Sequence, residues 1–185
     1  MALGSLDEVG GPVLVCGGSR FTVARVPNMS GFIINLATVS QGRSRVEARA
    51  AATDLELPEA EWPGEVQAGF DVERNGDQVA LIGVVSAVAR LECVRCLRSF
   101  DRPYEVELTV FADRSGSSRR LEEDLERDQY MKFHDGRQLD LRDETRDALL
   151  LELPMTPRCS DECQGLCPQC GADLNQGAHE CPAAP

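Results

Sequence analysis

Over more than a third of the chain, hydrophobic and polar positions alternate with a period of two, the pattern of strands that keep one face wet. The pattern starts at Phe32 and runs to about Ala112. Residues 32–36 are a short apolar run. In 43–52, Arg43, Arg45, Glu47 and Arg49 fall on one parity, and Val46, Ala48 and Ala50 on the other. Residues 65–74 and 77–91 bracket Asn75-Gly76, two residues that tolerate the positive φ of a type I′ turn and so predict a hairpin. Gly83, inside the second arm, predicts a bulge or a bend. Residues 103–112 alternate again, with Tyr104, Val106, Leu108 and Val110 opposite Glu105, Glu107 and Thr109. Cys93-Val94-Arg95-Cys96 therefore falls in the turn between two strands.

The period changes further on. Residues 113–129 are polar and charged with no apolar face, which predicts a mobile acidic loop; docking through that acid is the other reading. After a short run at 130–133, a helix is expected over 140–153. Asp140 would cap it, and Asp143 and Glu144 suit the positive end of its dipole. Leu141, Thr145, Ala148, Leu149 and Glu152 trace its face, and Pro154 and Pro157 end it. Residues 1–31 read as a weakly specified leader, with β-like runs at 13–16 and 21–26. The expected organisation is this leader, a β-rich domain over 32–157, and a cysteine-rich tail over 158–185. The fold class is α+β: an antiparallel sheet forming a partly open barrel or sandwich, with one C-terminal helix and a small zinc-bound tail.

Cysteine spacing adds chemistry to that picture. Cys167-Pro168-Gln169-Cys170-Gly171 has the form of a zinc knuckle: two intervening residues let both thiolates reach one metal, and the glycine permits the tight turn. His179 and Cys181 follow and complete a Cys3His set. Cys159 and Cys163 form a second pair, and Cys93 and Cys96 a third, so these four make the other set. Eight ligands match two four-coordinate zinc ions, both structural because neither set leaves an open position. One alternative makes His179 a surface residue and moves Cys163 into the tail site, which leaves the first set one ligand short. Cys16, in an apolar run, is left over as a buried thiol. A redox role for the first CxxC is the rival reading, but that chemistry belongs at a helix start in a βαβ unit.

Charge and composition narrow the function. The 185 residues carry a formal charge of −12, and 42% of them are hydrophobic. Seven thiolates with two divalent ions would make the chain more acidic still. That is the wrong sign for binding nucleic acid through net charge. Lys132 is the only lysine. Arg90, Arg95, Arg98 and Arg102 surround the first CxxC, and Arg158 precedes Cys159. Arg95, Arg98 and Arg158 are candidate phosphate ligands; alternatively, the arginines neutralise a Zn(Cys)4 centre of charge −2. There is no phosphate-binding loop, GxSxG or HExxH motif, or dinucleotide fingerprint, so no enzyme and no small-molecule substrate are expected. His134, beside Asp135, reads as a surface pair. Aromatic residues are too few for a stacking platform. No apolar run is long enough to span a membrane, and no secretion signal is legible, so a cytoplasmic protein with metal-bound thiols is expected.

The order of these features resembles one family. CVRCLRSF after a β-hairpin, then an acidic loop, then RDALLLELPMTPRCSDECQGLCPQCGADLN, is similar to the YceD-like proteins of large-subunit ribosomal RNA accumulation. The resemblance covers roughly residues 32–181. Many members of that family have cysteine where His179 stands, which keeps a ligand there; others lack much of the C-terminal cluster. The resemblance implies a non-enzymatic bacterial factor needed for normal 23S rRNA levels and large-subunit assembly. Its partner would be precursor rRNA or a basic ribosomal or assembly protein, and a thiol redox or zinc-release sensor is the reading from another class.

Overall fold

A computed structural model describes residues 29–114, 131–177 and 180–181. The short runs β1 (Met29–Ser30) and β2 (Ile33–Asn35) lead into β3 (Gly42–Ala51) and a 3₁₀ turn at Ala52–Leu55. Then come β4 (Glu65–Asn75), β5 (Gln78–Glu92), β6 (Ser99–Arg114), β7 (Met131–His134) and β8 (Gln138–Asp140). One helix, α1 (Arg142–Glu152), follows, and a 3₁₀ turn at Leu174–Gln176 lies in the tail. The leader's two β-like runs, Cys16 and residues 115–130 lie outside the described residues. Asp113 and Arg114, the first residues of the stretch expected as a mobile loop, belong to β6. Among the described residues, no helix is long and apolar enough to cross a membrane.

Six strands form one open sheet in the order β1-β3-β4-β5-β6-β7, and β2 pairs with β8 in a separate ribbon. The expected antiparallel character holds for the four long strands and for the ribbon. Both edge pairs, β1–β3 and β6–β7, are parallel, because each pair is joined by a long connection rather than a turn. The edges do not meet among the described residues, so the sheet is open rather than a barrel.

The alternation read from the sequence decides which face is inside. Val46, Val66, Phe70, Val72, Leu81, Val85, Leu108 and Val110 are buried on one face. Phe32, the β2–β8 ribbon after it (Ile34, Leu139), α1 (Leu149) and the 52–62 connection (Leu55, Trp62) complete that core. The opposite face of the sheet carries no second layer among the described residues.

Two local expectations are corrected. Asn75 pairs with Gln78, so Gly76-Asp77, not Asn75-Gly76, occupy the turn. Gly76 has φ +66° and Asp77 does not share it, which is the type II′ pattern. A one-residue slip would turn the Val72 and Val79 side chains outward, so the buried face outweighs the local Asn-Gly signal. Gly83 makes no bulge: the ladder runs through it, opposite Phe70 and Leu108. A Cβ at Gly83 would collide with the Gly69 carbonyl oxygen and lie 2.6 Å from Phe70 Cδ1 and 2.8 Å from its Cα, so the glycine makes room for the facing β4 backbone and the Phe70 ring.

The helix starts two residues later than expected. Asp140 Oδ1 still accepts from the Arg142 amide at 3.0 Å, so it serves the helix entry from just outside. Lys132 joins β7 to the helix through Glu144, at 2.6 Å. His134 is buried rather than on the surface. Its Nδ1 accepts from the Gly136 amide at 2.9 Å, so the Nε2–H donates to the Asp77 carbonyl at 2.7 Å. It fastens β7 to the β4–β5 turn.

Candidate metal centres

β5 and β6 are 15 and 16 residues long, paired from Val79–Ala112 to Glu92–Ser99, and so outreach β4, whose pairing with β5 ends at Gln67–Ser86. The free flank of β5 is taken by the connection after β3, with Arg90 N donating to Glu61 O at 2.6 Å. At the tip of this arm the chain folds into a knuckle. Leu97 N donates to Cys93 O at 2.9 Å, and Cys93 N to Arg98 O at 3.0 Å. The tail builds the same knuckle again, with Gly171 N donating to Cys167 O at 2.9 Å and Cys167 N to Ala172 O at 2.8 Å. In both, the residue after the second cysteine is left-handed: Leu97 at φ 57° and Gly171 at φ 74°.

After α1, Pro154 and Pro157 turn the chain toward the arm, and Val94 N donates to Pro157 O at 3.0 Å. This contact delivers Cys159 and Cys163 to the first knuckle. The sulfurs of Cys93, Cys96, Cys159 and Cys163 all lie within 4.8 Å of one another. The Cys93–Cys163 and Cys96–Cys159 separations are both 3.7 Å. The described cysteines are thiols, not disulfides. A metal bonded to sulfur at about 2.3 Å with tetrahedral angles sets an S–S edge of about 3.8 Å, so the cluster can hold one ion. Cys167, Cys170 and Cys181 form a second cluster within the same 4.8 Å limit, with Cys167 and Cys181 3.8 Å apart. His179 lies outside the described residues.

The surroundings tune the sulfurs. The amides of Cys159 and Cys96 hold the Cys93 thiol down at about 6. The amides of Gln169 and Cys170 do the same for Cys167, also to about 6. Burial and then the neighbouring Cys170 and Cys167 push Cys181 up to about 11. The Arg98 guanidinium, with Nη2 3.6 Å from the sulfur, lowers Cys159.

Most of the arginines named from the sequence are engaged locally. Arg90 forms a two-pronged pair with Asp101 at 2.8 and 3.0 Å, and Arg102 lies over the Tyr104 ring at 5.9 Å. Arg95 donates to the Cys163 carbonyl at 2.7 Å. Arg158 is exposed.

Sequence reasoning missed Asn175. Its Nδ2 lies 3.6 Å from Cys163 Sγ, and its Oδ1 accepts from the Gln164 amide at 2.9 Å. It ties the tail knuckle to the first cluster, helped by Leu166 N donating to Arg95 O at 3.2 Å. No motif marks it, because an asparagine in a 3₁₀ turn near a glycine is an ordinary turn residue.

The fold and site define a class: an open-sheet α+β protein whose longest hairpin and tail form two adjoining cysteine clusters. The profile of the family described as "Large ribosomal RNA subunit accumulation protein YceD" matches residues 81–185, from near the start of β5 to the end of the tail. The chain belongs to the YceD family. Among curated relatives, an uncharacterized protein of Mycobacterium leprae is 33% identical over 67% of this chain and 56% of its own length. One from Mycobacterium tuberculosis is 38% identical over 56% of this chain and 48% of its own length. A maize (Zea mays) protein, "Large ribosomal RNA subunit accumulation protein YCED homolog 1, chloroplastic", is 29% identical over 71% and 56%. The chain thus spans about half the length of the curated relatives it matches. No solved structure matches it.

Proposed function

We propose that this chain is a non-enzymatic bacterial factor that supports 23S rRNA accumulation and large-subunit assembly in the cytoplasm. Family membership carries the proposal, because the matched stretch contains the hairpin arm, the helix and both clusters. The metal is zinc at both sites. Sulfur-rich donor sets suit a borderline-soft ion, and the sulfur spacings fit its tetrahedral bond lengths. Cys93, Cys96, Cys159 and Cys163 would hold one ion, and Cys167, Cys170, His179 and Cys181 the other. Neither ion does chemistry on a substrate; each fastens chain segments together.

The proposed mode of action is docking to a basic ribosomal or assembly protein. Arg90, Arg95 and Arg98 are turned to Asp101, the Cys163 carbonyl and the Cys159 sulfur, and the chain's formal charge is −12. Direct phosphate contact through Arg95, Arg98 and Arg158 is the second reading, favoured by the exposure of Arg158.

Loss of the protein from its native bacterium should lower the 23S to 16S ratio and the large-subunit peak of a sucrose gradient. An unchanged ratio after confirmed loss would sink the proposal. For the mode of action, Arg158→Ala should leave particle association intact if a protein is the partner. Under the RNA reading it should weaken association and flatten its salt dependence.

A further inference from the structure

β5 has the sequence of a strand covered on both faces, VALIGVVSAVA, yet among the described residues only one face is covered. Strands buried on both sides read as continuous apolar runs, whereas a half-wet strand alternates. Here Leu81, Val85, Ala87 and Ala89 point into the core, while Ile82 (58% exposed), Val84 (41%) and Val88 (38%) point out. The neighbouring strands keep their polar parity on that face. The register places Val84 between Gly69 and Glu107, Ile82 between Asp71 and Thr109, and Ala80 between Glu73 and Phe111, which is 52% exposed. A groove of about 230 Å³ opens beside Val84 and Gly69, lined also by Glu47, Arg49, Gln67 and Ser86.

The charges around this stripe identify what can cover it. Arg43 pairs with Glu73 at 3.5 Å, Arg45 with Asp71 at 3.3 Å, and Arg90 with Asp101 at 2.8 Å. Glu47, Glu105 and Glu107 are exposed on the same face and form no ion pair among the described residues; Arg49 is the one cation beside them in the same position. The surface is therefore an apolar stripe with an anionic margin. Nucleic acid would bring phosphates against those carboxylates. A second copy of this chain, docked about a two-fold axis, would bring the same carboxylates toward themselves. A segment carrying lysine or arginine among aliphatic side chains meets both features.

We propose that the outer face of the sheet along β5 is a docking surface for a cationic protein segment bearing aliphatic side chains. The inference rests on the protein-docking reading above and supplies its surface.

The test uses the zinc-loaded full chain and three labelled probes: a peptide alternating lysine and leucine, an oligolysine of equal charge, and a single-stranded RNA oligonucleotide. Fluorescence anisotropy should rank the lysine–leucine peptide first, and its methyl NMR shifts should fall on Ile82, Val84 and Val88. The paired exchange Ile82→Thr with Phe111→Thr, both strand-compatible and on the exposed face, should weaken that peptide roughly tenfold and leave oligolysine unchanged. Glu105→Gln with Glu107→Gln should flatten the salt dependence of both peptides, and this arm stands even if the first pair misfolds. Equal binding of the two peptides, shifts on other surfaces, preferred binding of RNA, or self-association through this face would each overturn the proposal. Complementation in the native bacterium separates it from the assembly role. If loss of the protein lowers 23S rRNA but the Ile82 and Phe111 variant restores it fully, the surface assignment fails and the assembly role stands. If loss leaves 23S rRNA unchanged while the peptide binds as expected, the assembly role fails and the surface stands.

Discussion

The two knuckles have the same backbone hydrogen bonds and different settings, and the difference separates the demands of the turn from those of the fold. In the arm, Cys93 and Cys163 are 70 residues apart in sequence and both buried. In the tail, Cys167 and Cys181 are 14 apart, Cys170 is exposed and Cys181 half-buried. By the entropy of closing a loop, clips of these lengths would contribute roughly 4 and 3 kcal/mol, so length alone separates them by only about 1 kcal/mol. The larger difference is what each holds. The arm cluster packs with Phe100 and Leu166 in a small core of its own and joins the sheet to the tail. The tail cluster closes only its own turn.

Breaking each cluster in turn should give the largest contrast. Cys163→Ala should remove the arm metal, detach the tail and lower the melting temperature of the whole protein, with a loss on the order of 4 kcal/mol. Cys170→Ser should release the tail metal while the main transition of the sheet stays in place. Calorimetry with metal counting checks both, and equal effects on the sheet transition would refute the division. A chromophoric chelator offers a gentler version of the same contrast. Metal should leave in two phases, the tail first, because Cys170 is exposed and Cys93 and Cys163 are not. A single phase would mean that the clusters act as one unit.

Smaller changes sharpen the comparison. Asn175→Ala and Arg98→Ala each remove an N–H that faces a sulfur of the arm cluster, and should weaken metal there by roughly tenfold without changing the tail. Competition titration with a metal buffer would show this. The left-handed position itself can be exchanged: Leu97→Gly should stabilise by up to about 1 kcal/mol, and Gly171→Leu should destabilise by about the same or more. Denaturant midpoints of the two variants must move in opposite directions.

Acid should distinguish the sites least. The Cys93 and Cys167 thiols are both lowered to about 6 by backbone amides. A depressed folded value stabilises above the ordinary thiol range, and that contribution is lost as pH falls through about 6. Each cluster also holds a raised partner. At Cys96 the Arg98 amide pulls downward, but burial and the shared sulfurs of Cys93, Cys159 and Cys163 carry it to about 12, against about 11 for Cys181. Metal release followed against pH should therefore begin for both clusters in the same range.

Much of this was legible along the chain because it is local. Alternation marked the inner and outer faces of β3 and β6, and two-residue spacings marked both knuckles. Charge counted along the sequence argued against nucleic acid held by net charge. Where a local signal competed with burial, burial decided: Asn75-Gly76 yielded its turn to Gly76-Asp77, and Gly83 became a seat for Phe70 instead of a bulge. Leu97 showed nothing unusual in sequence, although it holds the conformation that Gly171 adopts freely.

The sequence alone determined most element types and the two CxxC spacings, since each depends on neighbours a few residues apart, and the acidic balance, which needs only a count of residues. Only the tertiary structure decided that Cys159 and Cys163 reach Cys93 and Cys96, that Asn175 links the two clusters, and that, among the described residues, the sheet stays open and the outward half of an apolar strand is uncovered. Those facts depend on residues far apart in the chain meeting in space, and no periodicity records which distant segment will arrive.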